Sequence, residues 1–237
     1  MTEWKQKRFW TRATAEAATD GWRVALDGRG VKTPAKTPLI VPSRTLAEKI
    51  AAEWDAQEEV IAPLSMPFTR SANAALDKVT PQKAEVAAML ADYGDSDLLC
   101  YRADGPDSLV HRQQAEWDAL LDWAAEALGA RLAPRTGVMH SPQDAGALSI
   151  LRARTETLDV FELTAFHDLV SLSGSLIIGF AAFEGARDAD TLWAASRLDE
   201  LWQIEQWGDD EEAEAVAARK KADFDHAFAF LAAHRAG

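Results

Sequence analysis

The chain has 237 residues, 48% hydrophobic and 27% charged, the mix of a globular protein with a sizeable core, which sets dominant disorder aside. Lys and Arg number 25 against 38 Asp and Glu, a net charge of −13 that repels phosphate backbones and anionic lipid, so neither nucleic acid nor membrane is an expected partner. A single cysteine leaves no intramolecular disulfide and no cysteine-based zinc site, and suits a reducing compartment.

In chain order, the opening Met-Thr-Glu-Trp-Lys-Gln-Lys-Arg reads as neither a signal peptide nor an acid-poor presequence. Lys7 to Thr11 mixes aromatic and β-favouring residues and predicts a strand. Trp22 to Leu26 alternates apolar positions and predicts another. Asp27-Gly28-Arg29-Gly30 is a tight-turn signal, followed by Val31-Lys32-Thr33. Pro34, Pro38 and Pro42 bracket Leu39 to Val41, which suits an edge strand. At Ser43 the pattern changes. Ser43 reads as an N-cap, and Leu46, Ile50 and Trp54 follow at helical spacing. Helical patterns resume at Thr69 to Val79, Pro81 to Tyr93 and Asp107 to Leu128, with a short apolar run at Leu98 to Tyr101 and a loop from Gly129 to Ser141. From Pro142 onward the sequence is helix-compatible, with breaks near Thr157, Gly185 and Gly208. The expected architecture is α+β: a small N-terminal antiparallel β domain over residues 1–43, then a larger α-helical domain over 44–237.

Searches for chemistry are negative. Gly28 to Thr33 lacks the third glycine of a dinucleotide fingerprint and the spacing of a P-loop, and strand-like sequence follows it, so Gly28 and Gly30 read as hairpin residues. His111, His140, His167, His226 and His234 form no metal-ligating motif. Ser173 and Ser175 sit outside any nucleophile-elbow pattern, and Cys100 reads as a small buried hydrophobe. No catalytic, cofactor-binding or metal residue is therefore assigned, and no cofactor is expected.

Two features exceed this background. Ser171, Ser175 and Gly179 recur every four residues, the small-residue stripe of a buried helix that another backbone approaches closely. Glu205 falls on one helical face with Leu198, Leu201 and Trp202. A carboxylate there either pairs internally with a cation or faces a partner, because burying it alone is costly. Asp209, Asp210, Glu211 and Glu212 open the next helix, where acidic residues complement the macrodipole or make a partner-binding patch.

Several ordered stretches resemble one family. They are Leu26 to Pro34, Leu46 to Gln57 with its Glu53-Trp54-Asp55 core, Met66 to Arg70, Tyr93 to Leu99, and Ile204-Glu205-Gln206-Trp207-Gly208. Together they resemble the assembly chaperone for the alpha subunit of the ATP synthase catalytic head, which occurs in mitochondria and related bacteria. The resemblance runs from about residue 7 to 231. It implies a small β domain leading into a helical one. It also implies binding of unassembled alpha subunit, protection of the surface that later contacts beta, and displacement by beta, without catalysis or cofactor. Under it Glu205, Trp207, Asp209 and Asp210 become partner-binding candidates, and Trp54, Gly28 and Gly30 structural motif residues. Mitochondrial members carry a presequence; its lack here points to a bacterial cytoplasmic protein, monomeric when free. Two readings stay open beside it: an enzyme with a dispersed carboxylate site on the helical domain, and a constitutive subunit of the finished complex.

Overall fold

A computed structural model describes residues 7–208 and 210–236, which divide into two compact units. The first comprises Met1–Lys83, Val160–Ala165 and Ala229–Gly237; the second comprises Ala84–Asp159 and Phe166–Phe228. The small antiparallel sheet expected from the sequence lies in the first. Strand β1 (Ala13–Ala18) pairs with β2 (Gly21–Leu26) from Ala13↔Leu26 to Ala18↔Gly21. Strands β3 (Arg29–Gly30) and β4 (Ile40–Val41) pair with the opposite ends of β2. Asp27 (φ 48) and Gly28 (φ 79) make the two-residue turn between β2 and β3. Positive φ at both central positions gives a twist that matches the flanking strands, and glycine adopts it without strain.

One strand expectation is corrected. Lys7 to Thr11 forms only an isolated bridge, Lys7 with Val60, and the first strand is Ala13–Ala18 instead. Its Ala-Thr-Ala-Glu-Ala-Ala sequence has little strand propensity; the full ladder with β2 supplies what the side chains do not.

Helix α1 (Arg44–Asp55) begins as expected: the Ser43 hydroxyl accepts from Leu46 N at 3.1 Å. Leu46, Ala47, Ile50 and Ala51 are buried, and the helix packs on β1 and β2. The composition shift at Ser43 thus marks a change of secondary structure, and the unit holding the sheet continues to Lys83. Helix α2 (Pro67–Ala74) runs on into a single π-type turn, Ala75–Val79. The Ser43 hydroxyl also donates to Ala233 O at 2.5 Å, and Phe68 stacks on Phe230, which ties the C-terminal residues into this unit.

Next come α3 (Lys83–Ala91), the parallel pair β5 (Tyr101–Arg102) and β6 (Arg135–Thr136), and α4 (Asp107–Trp123) with its closing π-type turn. Then follow α5 (Ala145–Thr157), α6 (Val160–Ser173), α7 (Leu176–Phe183), α8 (Ala189–Ser196), α9 (Leu198–Trp207) and α10 (Glu211–Arg235). The expected breaks near Thr157, Gly185 and Gly208 are present, and there is another at Gly174 (φ 71). That break overturns the continuous small-residue stripe. Ser171 ends up on α6, while Ser175 caps α7 by accepting from Ile178 N at 3.0 Å. Only Gly179 provides close approach: a Cβ there would lie 2.5 Å from Val170 Cγ2. Helix α7 is buried from Leu176 to Ala182. Among the described residues no helix is long and apolar enough to cross a membrane.

Candidate partner-binding surface

Helix α9 carries two apolar stripes. Leu198 and Trp202 are buried. Leu201, Ile204 and Trp207 are instead 37%, 43% and 75% exposed, large apolar side chains that face water within a single helix. Helix α4 holds both α8 and α9: Trp117 Nε1 donates to Ala195 O on α8 at 2.8 Å, and Gln113 Nε2 donates to Asp199 Oδ1 on α9 at 2.7 Å. Trp202 meets Trp207 edge to face at 5.6 Å, so the buried ring sets the position of the exposed one.

Gly208 (φ 87) stops the helix, with its N–H on Ile204 O at 2.8 Å. Asp210 then starts α10: its carboxylate accepts from Glu212 N at 2.9 Å. Glu211, Glu212 and Glu214 occupy the first turn, all exposed, where carboxylates complement the positive end of the helix dipole. Val216 is also exposed, in the lining of a shallow cavity of about 360 Å³ with Arg197, Asp210 and Lys220.

Glu205 lies between the stripes. Both its oxygens accept from Arg112 Nη1 on α4, at 2.8 and 2.7 Å, and the carboxylate side chain remains 54% exposed. The internal cation of the first sequence alternative is therefore Arg112, but the pair sits in water rather than in the core. Such a pair adds little to stability. Both groups stay accessible to a partner.

Glu205, Trp207 and Asp210 are thus brought together at the α9–α10 turn; Asp209 lies outside the described residues. Trp54, Gly28 and Gly30 belong to the first unit. Trp54 is half-buried, 5.3 Å from the Trp10 ring. Gly28 supplies the hairpin turn, whereas Gly30 has no left-handed φ and a Cβ there would meet nothing closer than Arg23 Cδ at 3.9 Å. Sequence reasoning missed Arg112, which lies far from Glu205 in the chain. It also missed the exposed stripe, although the spacing of Leu201 and Ile204 beside Leu198 and Trp202 carries that signal.

Two described carboxylates have pKa values raised by burial, Asp97 and Glu53, and both serve helix N-termini. Asp97 accepts from Ser175 Oγ at 2.7 Å and from Ile177 N at 3.0 Å at the start of α7. Glu53 accepts from Phe68 N at 2.6 Å and Thr69 N at 2.7 Å at the start of α2. Burial pushes the Cys100 thiol up to about 12, so it stays protonated and unreactive as a nucleophile.

The family pattern described as ATP12 chaperone protein matches residues 7–125. The mitochondrial protein atp12 of Schizosaccharomyces pombe is 25% identical over 222 residues, spanning 89% of this chain and 76% of its own length. The crystal structure of Atp12 from Paracoccus denitrificans is 52% identical with a TM-score of 0.95, covering 98% of this chain and 100% of that one. A substitution mutant of the Paracoccus denitrificans protein is similar to the same degree, 51% identical with a TM-score of 0.96 over 99% of this chain and 100% of its own.

Proposed function

This chain belongs to the ATP12 chaperone family, and we propose that it binds the unassembled alpha subunit of the ATP synthase catalytic head during assembly of that enzyme. It covers the alpha surface that later contacts beta, suppresses aggregation, and leaves when beta takes its place. The observation that carries this reading is the exposed apolar stripe of α9, Leu201, Ile204 and Trp207, set among the carboxylates of Glu205, Asp210, Glu211 and Glu212.

Such a surface does the work of holding without any bond being made or broken. The apolar stripe takes the place of water over the client's apolar patch. Trp207 is the natural anchor, a large ring already oriented by Trp202. The surrounding carboxylates fix register, attract basic groups on the client, and repel a second copy of the chaperone, which keeps the free protein monomeric. Glu205 turns its accessible oxygens to charge-assisted hydrogen bonds from the client. Release follows mass action: beta and the chaperone compete for one alpha surface, and the larger permanent interface wins. In a bacterium this takes place in the cytoplasm, where unassembled alpha is made.

The test is co-expression with the alpha subunit of the same organism, reading soluble alpha and a one-to-one complex by gel filtration. Replacing Glu205 by Lys sets two cations together in water, at a cost of about 1 kcal/mol or less. Glu205→Lys is therefore expected to melt close to the parent protein yet fail to keep alpha soluble. Trp207→Ala should fold and protect alpha poorly, and Glu205→Gln should be milder. Full protection by Glu205→Lys and Trp207→Ala would remove the α9 surface from the client interface.

A further inference from the structure

The first unit contains a cavity of about 530 Å³ whose electrostatic character is the opposite of the whole chain's. Its apolar wall includes Leu26, Trp54, Ile61 and Met66. Four cations also line it, Arg29, Lys32, Lys36 and Arg70, and among the described residues no Asp or Glu does. In a chain of net charge −13 that segregation is not what scattered surface charge produces.

None of the four cations takes part in an ion pair among the described residues. Asp27 feels Arg29 and Glu53 feels Arg70 through space, but the hydrogen bonds of the neighbouring carboxylates go elsewhere. Asp27 accepts from Thr11 N and Arg12 N, each at 2.9 Å. Asp77 accepts from Thr33 Oγ1 at 2.7 Å and Ala35 N at 3.0 Å. Glu53 accepts from Phe68 N, Thr69 N and Thr69 Oγ1. The cations keep their full donor capacity for something from outside.

The cavity wall is equally unsatisfied. Phe9, on its rim, is 68% exposed. Trp54 Nε1, a donor, and Asn73 Oδ1, an acceptor, are buried and find no partner among the described residues, though both side chains line the cavity. These two atoms are themselves closed off from the cavity, so an occupant meets the exposed Phe9 ring and the cations, and apolar and cationic lining together match a segment that carries both apolar and acidic groups better than a simple anion.

We propose that this cavity is a docking site for a protein segment that carries clustered carboxylates beside a large apolar side chain. The apolar group packs against Trp54 and Ile61, and the carboxylates reach Arg29, Lys32, Lys36 and Arg70. Charge complementarity selects this occupant: an all-apolar segment leaves the hydrogen-bond donors of four cations unused, and a basic one is repelled. The site is distinct from the α9–α10 surface, so either can fail alone.

The test uses the full chain and a fluorescein-labelled peptide, Asp-Glu-Phe-Glu-Asp-Leu-Glu, read by fluorescence anisotropy. Its Asn/Gln counterpart and inorganic tripolyphosphate serve as comparison probes. The acidic peptide should bind saturably, weaken with added salt, and exceed the Asn/Gln peptide by about tenfold or more. The double variant Lys32→Glu/Arg70→Glu, on exposed side chains, should lose that binding by a similar factor. Arg187→Glu/Arg219→Glu, which shifts net charge equally in the second unit, should keep it. Equal binding of the Asn/Gln peptide, full binding by Lys32→Glu/Arg70→Glu, or no saturable binding would overturn the proposal. Tripolyphosphate that binds as tightly as the peptide and displaces it would make this a small-polyanion site and overturn it too.

Discussion

Asp97 and Gly179 show how single residues hold the second unit together. Asp97 is fully buried, and burial pushes its pKa up to about 6 even though Ile177 N, Ser175 Oγ and Leu99 N all donate to it. An unfolded aspartate releases its proton near pH ~3.9, so between about pH 4 and 6 the folded chain holds a proton that the unfolded chain has lost. Its contribution to stability is full below that window and is lost as pH rises through 6. Asp97→Asn removes the titration and turns an amide donor toward a backbone donor, a cost of about 1–3 kcal/mol. The variant should therefore melt below the parent at pH 4.5, and the gap should narrow at pH 7. A gap that widens with pH would mean that the hydrogen bonds outweigh burial. At Gly179, a Cβ only 2.5 Å from Val170 Cγ2 overpacks the contact between α7 and α6. Overpacking costs about 1–3 kcal/mol, while alanine regains roughly 1 from helix propensity, so Gly179→Ala should lower the melting temperature. An unchanged or higher value would show that Val170 and Phe166 move aside freely.

Whole elements are tied together by the last turn of α1. Glu53 accepts from the first amides of α2. Asp55 accepts from Ala13 N at 3.2 Å, at the start of β1, and lies 3.5 Å from Arg8 Nη2. Trp54 packs on Trp10, whose Nε1 donates back to Trp54 O at 3.3 Å. Three consecutive side chains thus join one helix to a second helix, a strand and the segment before that strand. Trp54→Arg removes the ring from this junction and adds a fifth cation beside Arg29, Lys32, Lys36 and Arg70. For a half-buried Trp the cost should be about 2–4 kcal/mol, below that of a fully buried one. Low soluble yield and a depressed melting temperature are the expected result; a normal melting temperature would show that the indole contributes little. The start of α1 was readable in advance, since the cap and the Leu46–Ile50 stripe are local signals. The small-residue stripe misled because helical spacing counts through a break it cannot see. Gly174 and Ser175 end one helix and cap another, and that stop depends on Asp97, which is remote in the chain.

Across the whole molecule, charge is sorted rather than spread. Carboxylates gather on the α9–α10 surface of the second unit, while unpaired cations gather at the cavity of the first. The net charge of −13 still governs approach at long range, where it disfavours polyanions. No glycine-rich loop opens a helix in the sequence. Calorimetric titration with ATP should accordingly give no binding in the low micromolar range, and a saturable isotherm there would show that the cavity cations overcome the global field. The function proposed above asks for no such binding, since a chaperone that held and yielded its client by mass action would run on competition between surfaces.

Short-range physics made part of this protein legible from its residues alone. The Asp27-Gly28 turn, the Ser43 cap, the length of α4 and the α+β order follow from backbone preferences and periodicity within a few residues, and the ordered motifs pointed to the family. What only the tertiary structure decided depends on residues far apart in the chain. Strand β1 exists because β2 pairs with it. Arg112 reaches Glu205 from another helix. Residues Val160–Ala165 and Ala229–Gly237 join the first unit through packing that no local signal announces. The cationic cavity arises because Arg29, Lys32 and Lys36 on a hairpin and its extension share one wall with Arg70 on α2. Local preferences set what each segment can form, and long-range pairing and burial chose which segments meet.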